Sequence, residues 1–521
     1  MKGWDIDWAK VNLCLLVFIL SLLTRFVPPI EPQHLAFDEA YFIPQSESYA
    51  VGSYYFDPHP PLGKILLYLG SIGLDPSLID RVDADKVGSG PFSSYEAASL
   101  EGSRFTPRVA GSLVPVVIFL LAWEVVNWKS QRKSFVDALV SSNYLVPLVI
   151  GILAVFENML IVDSRYTLLT QIMLLFILSG IYFAFKYFKS GMNNSRFWYL
   201  AFSAIAIGLA VSTKWLGLSF VPAVVGLVVI KELAPLTKKK FLLVVSNLYV
   251  CFAIVTVIPV LIYLAGFALH FSQIRQFQGA HSITEEYKQE LTTGEVQLSL
   301  WDKIMDWHQL TVEMENAIPK IDRENPGEIG STWLEWPTMT RPILYAIDQV
   351  EGDTYGYVFL IGNPFSWFIG LASIIVVAFL CLSELIETLW NFFEYKRFKP
   401  AFRFRYWLIL GLFLANWLPF ALIHRVMYLY HFVPSMVLSL IAFGLIMHDV
   451  IVPLLSKLVH RLLPRQDLAV IQSFILITIC TLILLASLGV FYIYAPLTYQ
   501  WPINREYLQL LELMDSWELV W

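Results

Sequence analysis

Runs of about twenty mostly apolar residues recur along this chain, and few folds can hold them. Each is long enough to cross the hydrocarbon core of a bilayer as a helix. A helix satisfies its backbone hydrogen bonds internally, so in lipid such runs predict a bundle of helices rather than an open sheet. Eleven are found, at 11–30, 106–127, 141–161, 166–186, 197–213, 215–232, 241–266, 361–386, 405–423, 426–447 and 471–494. Only 15% of the residues are charged, against about 25% in soluble domains. The expected class is therefore an all-α polytopic membrane protein. The first run is followed by Pro28 and Pro29 without a small-residue cleavage site, and is expected to remain as an uncleaved span. Cys14, Cys251, Cys381 and Cys480 all lie in apolar runs, which argues against a disulfide framework. No internal repeat is evident, which argues against the repeat-built transporter folds.

Basic residues set the sides. With the N-terminus in the cytoplasm, the inner connections are 128–140, 187–196, 233–240, 387–404 and 448–470. Together with the bordering residues Lys2, Lys10, Lys186, Lys231 and Arg405, they hold 20 of the 36 basic residues. The two long opposite loops, 31–105 and 267–360, hold 26 of the 42 acids. The chain thus divides into an N-terminal end and first span (1–30), a first outer loop (31–105) and spans two to seven (106–266). A second outer loop (267–360), spans eight to eleven (361–494) and an outer tail (495–521) follow. Long structured loops usually carry function, so the chemistry is expected outside.

Charges at span ends point the same way. Charged groups in spans are costly and mark sites or pairings. Arg108, Glu157, Asp163, Arg165, Lys214, His424, Arg425 and His431 all fall at outer ends, level with Asp38, Glu39 and His59. One polar cavity at the outer surface would gather them; snorkelling to the headgroups is the bland alternative. The stretch 37–70, FDEAYFIPQSESYAVGSYYFDPHPPLGKILLYLG, adds an acid pair and a His-Pro-Pro-Leu-Gly-Lys motif. Pro60 and Pro61 suit the first turn of a helix. The apolar run 62–74 is too short to span and is expected to lie along the interface. Its amino end, beside His59 and with Lys64 in the first turn, suits an anionic headgroup.

These residues resemble the first luminal loop of protein O-mannosyltransferases, where an Asp-Glu pair precedes an HPPLGK-type motif by about twenty residues. Further pieces match that family in order: Ser164-Arg165, the Lys214-Trp215-Leu216-Gly217 stretch, the tryptophan-rich segment around Trp333 and Trp336 ahead of Gly362-Asn363-Pro364, and Tyr430-His431-Phe432-Val433-Pro434. The resemblance implies a GT-C glycosyltransferase fold with about eleven spans. It implies transfer of mannose from a polyprenyl phosphate to Ser or Thr of exported proteins. The second loop is too short for the β-trefoil MIR domain of eukaryotic members, which suggests a bacterial-type enzyme in the plasma membrane. Thr170 stands where many members carry an acid.

Under that resemblance Asp38 is the expected base for the incoming hydroxyl. Glu39 would orient the sugar or acceptor, or pair with a cation. Lys214 and Arg165, with Arg108 and Arg425, are the candidates for the donor phosphate, since preorganised cations stabilise it. His59 would shape the pocket, and Lys64 would meet a headgroup or serve structure. Trp333, Trp336 and Tyr345 would stack on sugar or peptide, or form an interfacial aromatic belt; His431 belongs with the pocket. His270, His281 and His308 lack metal-ligand spacing, so no cofactor is expected and a divalent metal is not indicated. The tail, from Tyr507 to Leu513, is expected as a surface amphipathic helix. The expected partners are the polyprenyl-linked donor, a Ser/Thr-containing exported polypeptide, the bilayer and the secretion machinery, with no nucleic acid. A GT-C enzyme modifying lipid A or another envelope glycan is the alternative, and a transporter of polyprenyl-linked sugars a more distant one.

Overall fold

The computed structural model describes residues 7–29, 31–87, 96–128, 141–279, 281–322, 330–395, 403–463 and 467–519. The basic stretches at 129–133 and 396–399, which enter the sidedness argument, lie outside these residues. Ten helices are long and apolar enough to cross a membrane, and a bent pair makes an eleventh span. That pair, Ser142–Val155 and Asn158–Arg165, turns by 51°. It replaces the unbroken third run expected at 141–161. The helix Phe241–Gln273 runs on past the predicted end at 266. At about 1.5 Å per residue it is some 50 Å long, more than a hydrocarbon core of about 30 Å. Its extra turns carry His270 into a cluster of aromatic side chains from both long loops.

The helices Leu100–Val126 and Leu429–Leu462 are the most buried and form the centre, while Phe241–Gln273 and Leu468–Tyr499 show most of their surface to the surroundings. A span apolar on all sides can take either position, which is why periodicity alone does not rank them. The short helix Leu62–Leu74 forms as expected. It packs on Leu100–Val126, and its motif glycine sits close against neighbouring side chains. A Cβ at Gly63 would stand 2.8 Å from a methyl of Leu169 and 3.1 Å from Thr213.

A small sheet joins the second long loop to the tail. Strands β1 (Ile343–Glu351) and β2 (Thr354–Leu360) form an antiparallel hairpin, and β3 (Pro502–Asn504) pairs antiparallel with β2. The tail helix is short, Arg505–Leu511, and docks on protein. Leu508, Leu511 and Trp517 are buried while Leu510 and Leu513 are exposed. Trp517 Nε1 donates to the Thr338 carbonyl at 3.0 Å, and Arg341 N donates to the Ser516 carbonyl.

Glu157 sits at the bend of the broken span. Its carboxylate accepts the Asn363 N–H at 2.7 Å and the Ser366 hydroxyl, at the start of the helix Pro364–Tyr395. Asn363 Oδ1 in turn accepts from Phe365 N and Ser366 N. Glu157 is therefore a helix-end acceptor and not a cavity residue, contrary to the single outer cavity expected to gather it. Glu157→Ala strands two buried donors and should destabilise the protein by about 1–3 kcal/mol. A thermal unfolding midpoint in detergent equal to wild type would contradict this assignment.

Candidate active site

Two connected features lie among the loops and span ends. The larger is a cavity of about 480 Å³, lined by His59, Thr170, Lys214, Trp215, Glu315, Asn416, Arg425, Tyr430 and His431 among mainly apolar neighbours. The smaller is a narrow cleft lined by Phe37, Asp38, Phe42, Asp163, Leu168, Thr170, Lys214, Tyr345 and Tyr430. Thr170, Lys214 and Tyr430 belong to both.

Asp38 caps the helix Glu39–Val51 by position but makes no side-chain capping bond. The residue before it, Phe37, has φ 50°, uncommon for a bulky side chain. It is held there by its N–H on the Tyr345 carbonyl at 3.1 Å and by ring stacking on Tyr345 at 4.5 Å. This kink aims Asp38 into the cleft. Among the described residues its carboxylate has no hydrogen-bond or ion-pair partner. Burial pushes Asp38 up to about 6, against the pull of Lys214 and with Asp57 and Asp163 adding to the rise.

Glu39, one residue on, points into protein. Its oxygens accept Arg104 Nε at 2.8 Å, Arg104 Nη2 at 2.6 Å, Thr167 N at 2.7 Å and Ala36 N at 3.0 Å. Adjacent side chains on a helix diverge by about 100°, so the two acids cannot share one cleft wall. Glu39 thus takes the cation-pairing alternative, tying the first loop to the helix Leu100–Val126 through Arg104. The arginine that binds it, Arg104, lay outside the sequence reading because it sits just before the apolar run.

Lys214 occupies the break between the helix Arg196–Thr213 and the 3-10 turn Trp215–Phe220. Its ammonium lies 4.8 Å from the Tyr430 ring centre and has no ion pair or hydrogen bond among the described residues. Burial pulls it below the usual lysine range, against the pull of Asp38, Asp163 and Asp57. Asp163 reaches the same cleft from the broken span, accepting from Gln171 Nε2 at 2.9 Å and Tyr345 Oη at 3.4 Å.

The HPPLGK motif closes on itself. Asp57 Oδ1 accepts both the His59 N–H at 2.7 Å and Lys64 Nζ at 2.6 Å, and Lys64 also donates to the His59 carbonyl. Lys64 is fully buried, so it serves structure rather than a headgroup. The knot presents the His59 ring to the larger cavity. Burial pulls His59 down to about 3, with Lys214 and Lys64 adding to it against Asp57, so the ring is neutral near pH 7.

Other expected residues fall elsewhere. Arg165 donates to the carbonyls of Arg25, Pro28 and Pro29 and lies over Tyr499. Arg108 donates to the carbonyl of Arg104 and lies over Phe26. Neither lines the cleft or the cavity, because each is used to close backbone at the end of the first span or within its own helix. Arg425 does reach the larger cavity, paired with Glu315 at 2.7 Å. Trp336 is fully buried behind His431, its ring stacked 5.7 Å from the imidazole, and donates to Ser331 Oγ at 3.0 Å. Trp333 packs edge-on against Trp417. Both tryptophans therefore support the wall rather than face the space. Tyr345 and Tyr430, by contrast, do face it, and only the Tyr-His motif pointed to Tyr430. His270 bonds the Tyr49 hydroxyl and His308 that of Tyr263. No group of three or more His, Cys, Asp or Glu able to hold a metal occurs among the described residues.

Known proteins match this chain along most of its length. A family described as dolichyl-phosphate-mannose-protein mannosyltransferase matches residues 15–275. The C-terminal four-span region of protein-O-mannosyltransferase matches residues 300–517. Protein O-mannosyl-transferase 2 of Drosophila pseudoobscura pseudoobscura is 28% identical over 280 residues, 52% of this chain and 34% of that protein. Dolichyl-phosphate-mannose–protein mannosyltransferase 1 of Saccharomyces cerevisiae is 29% identical over 293 residues, 54% of this chain and 32% of that protein. The matches thus span about a third of the length of these relatives. Among solved structures, the S. cerevisiae protein O-mannosyltransferase Pmt1-Pmt2 complex bound to the sugar donor aligns over 98% of this chain and 92% of that one, with TM-score 0.72 and 16% identity. The archaeal oligosaccharyltransferase AglB of Archaeoglobus fulgidus aligns over 99% and 59%, with TM-score 0.51 and 14% identity. The fold is GT-C, and the chain belongs to the dolichyl-phosphate-mannose-protein mannosyltransferase family.

Proposed function

We propose that this protein transfers mannose from a polyprenyl-phosphate mannose to Ser or Thr hydroxyls of exported polypeptides, with inversion at the anomeric carbon, on the non-cytoplasmic side. The observation that carries this reading is the narrow cleft lined by both Asp38 and Lys214, a carboxylate and an ammonium without a hydrogen-bond or ion-pair partner among the described residues. Family membership supports the activity. Sidedness is supported by the ion pairs at the opposite end of the bundle, where Lys10, Lys186 and Lys189 surround Glu124 and Arg405 meets Asp449. The two matched regions leave only residues 276–299 between them, which supports a compact, bacterial-type member.

In this mechanism the prenyl chain lies along the apolar wall of the larger cavity and its phosphate meets Lys214, with His59 as a neutral hydrogen-bonding neighbour. The phosphate leaves as a stable anion and needs no proton from the protein. The acceptor hydroxyl enters from the Asp38 side, gives its proton to that carboxylate and attacks the anomeric carbon opposite the phosphate. Base and leaving group on opposite faces give inversion, as in inverting glycosidases. A base poised near neutral pH is well matched to taking a proton from a hydroxyl as the new bond forms. The lysine charge is preorganised where the leaving phosphate develops its own.

Purified protein in nanodiscs, given labelled polyprenyl-phosphate mannose and a Ser/Thr peptide, tests this directly. Asp38→Asn should lower transfer by about 10²–10⁴-fold with donor binding retained; undiminished transfer would remove the base. Because Asp38 must be ionised to act, the wild-type rate should fall as pH drops through about 6, and a rate flat from pH 7 to 5 would contradict it. Lys214→Met should weaken donor binding as well as turnover. Glu39→Gln should instead lower the unfolding midpoint, since breaking a buried ion pair costs about 3–5 kcal/mol; a fully stable but inactive Glu39→Gln would return that residue to the chemistry.

A further inference from the structure

The larger cavity contains a residue of the wrong sign for a phosphate site. Among its described lining residues Glu315 is the one carboxylate, beside Lys214, Arg425 and two histidines. It stands near the end of the helix Leu300–Ala317 in the second long loop. Arg425 reaches it with two nitrogens, Nε at 2.7 Å and Nη2 at 3.3 Å. The backbone around Arg425 is fixed. Val426 N donates to the Pro319 carbonyl at 2.9 Å, and Ser331 N to the Met427 carbonyl at 2.7 Å. The guanidinium is held at the cavity rim, its Nη1 donating to the Val426 carbonyl at 2.9 Å. Both side chains are partly exposed, 24% for Arg425 and 37% for Glu315, so the pair holds weakly and can be contested.

The reaction changes the charge of the lipid. A mannosyl phosphodiester carries one negative charge. Breaking the sugar–phosphate bond leaves a phosphomonoester, whose charge near pH 7 is about −1.5 to −2, with a second pKa of about 6. A carboxylate at the rim repels the product more than the donor, and competes with it for Arg425. Resting on the proposed function, we infer that Glu315 is a specificity residue that discriminates the donor phosphodiester from the product phosphomonoester and so drives release of the spent polyprenyl phosphate. Lys214 serves both lipids; the Glu315–Arg425 pair sets the difference between them.

The test measures binding of two synthetic short-chain lipids, polyprenyl monophosphate and polyprenyl-phosphate mannose, to wild type and Glu315→Gln in neutral-lipid nanodiscs. Glu315→Gln should tighten the monophosphate about tenfold, the size of one partly screened like-charge contact, and the donor by less than about threefold. The monophosphate should become the stronger product inhibitor of the variant. The gap should widen from pH 5.5 to 7.5 as the monoester loses its second proton. His59, His431, Lys214, Arg425 and Tyr430 also face the cavity and Asp38 titrates in this range. Their contributions are common to both proteins and cancel in the ratio of variant to wild type at each pH. Equal tightening of both lipids, no tightening, or a gap independent of pH would overturn the inference while leaving the transfer reading intact. If wild type binds neither lipid, both fall. Arg425→Gln, which removes the competing cation, should weaken the monophosphate more than the donor, and the reverse order would also count against the pair's role.

Discussion

An ammonium removed from water with no ion pair is costly, and the cleft is organised around that cost. Lys214 shares its cleft with two carboxylates that arrive from separate elements, and its ammonium lies over the face of the Tyr430 ring. Asp38 comes from the start of one helix and Asp163 from a broken span. Replacing any one shifts the balance for the rest, because buried charges see one another through little screening. The irregular backbone at 156–157 and at Lys214 is tolerated for a related reason, being buried in protein or lining a cavity.

The two adjacent acids illustrate how the same residue types divide between chemistry and support. Glu39 is satisfied four times over and ties the first loop to a central helix. That saturation leaves it little freedom to take a proton from a substrate. Asp38 has the opposite condition, a carboxylate aimed at space and held by the strained backbone of Phe37. Strain at such a position persists only where the surroundings over-determine it, and here the Phe37–Tyr345 stack and hydrogen bond do so. The Asp57–His59–Lys64 knot has the same logic: its charges cancel one another to fix a loop, and only the imidazole is left facing the cavity.

Much of the fold was legible because it follows from bilayer thickness. Ten of the eleven predicted runs return as helices, and the interfacial helix Leu62–Leu74 has the predicted bounds. The break at Glu157 was not legible, since it comes from Asn363 and Ser366, some 200 residues on. The β-hairpin was missed because its second strand leads directly into an apolar span and periodicity does not separate the two. For the site, motif order pointed to Asp38, His59, Lys214 and His431, and the charges at span ends added Arg425. Neither could tell which charged residues would be consumed by carbonyls, as Arg165 and Arg108 are, since backbone carbonyls at a helix end leave no mark in composition. Asp163 was visible as a costly intramembrane acid, but its contact with Tyr345 depends on how the loop returns.

The central claim is that the sugar is handed over between Asp38 and Lys214. A structure of the protein with an unreactive phosphonate analogue of the donor would test it most directly. The phosphonate should lie within hydrogen-bonding distance of Lys214 Nζ, the prenyl chain along the larger cavity, and the anomeric carbon between phosphonate and Asp38. A phosphonate seated on Arg165 or Arg108, or a sugar turned away from Asp38, would contradict it.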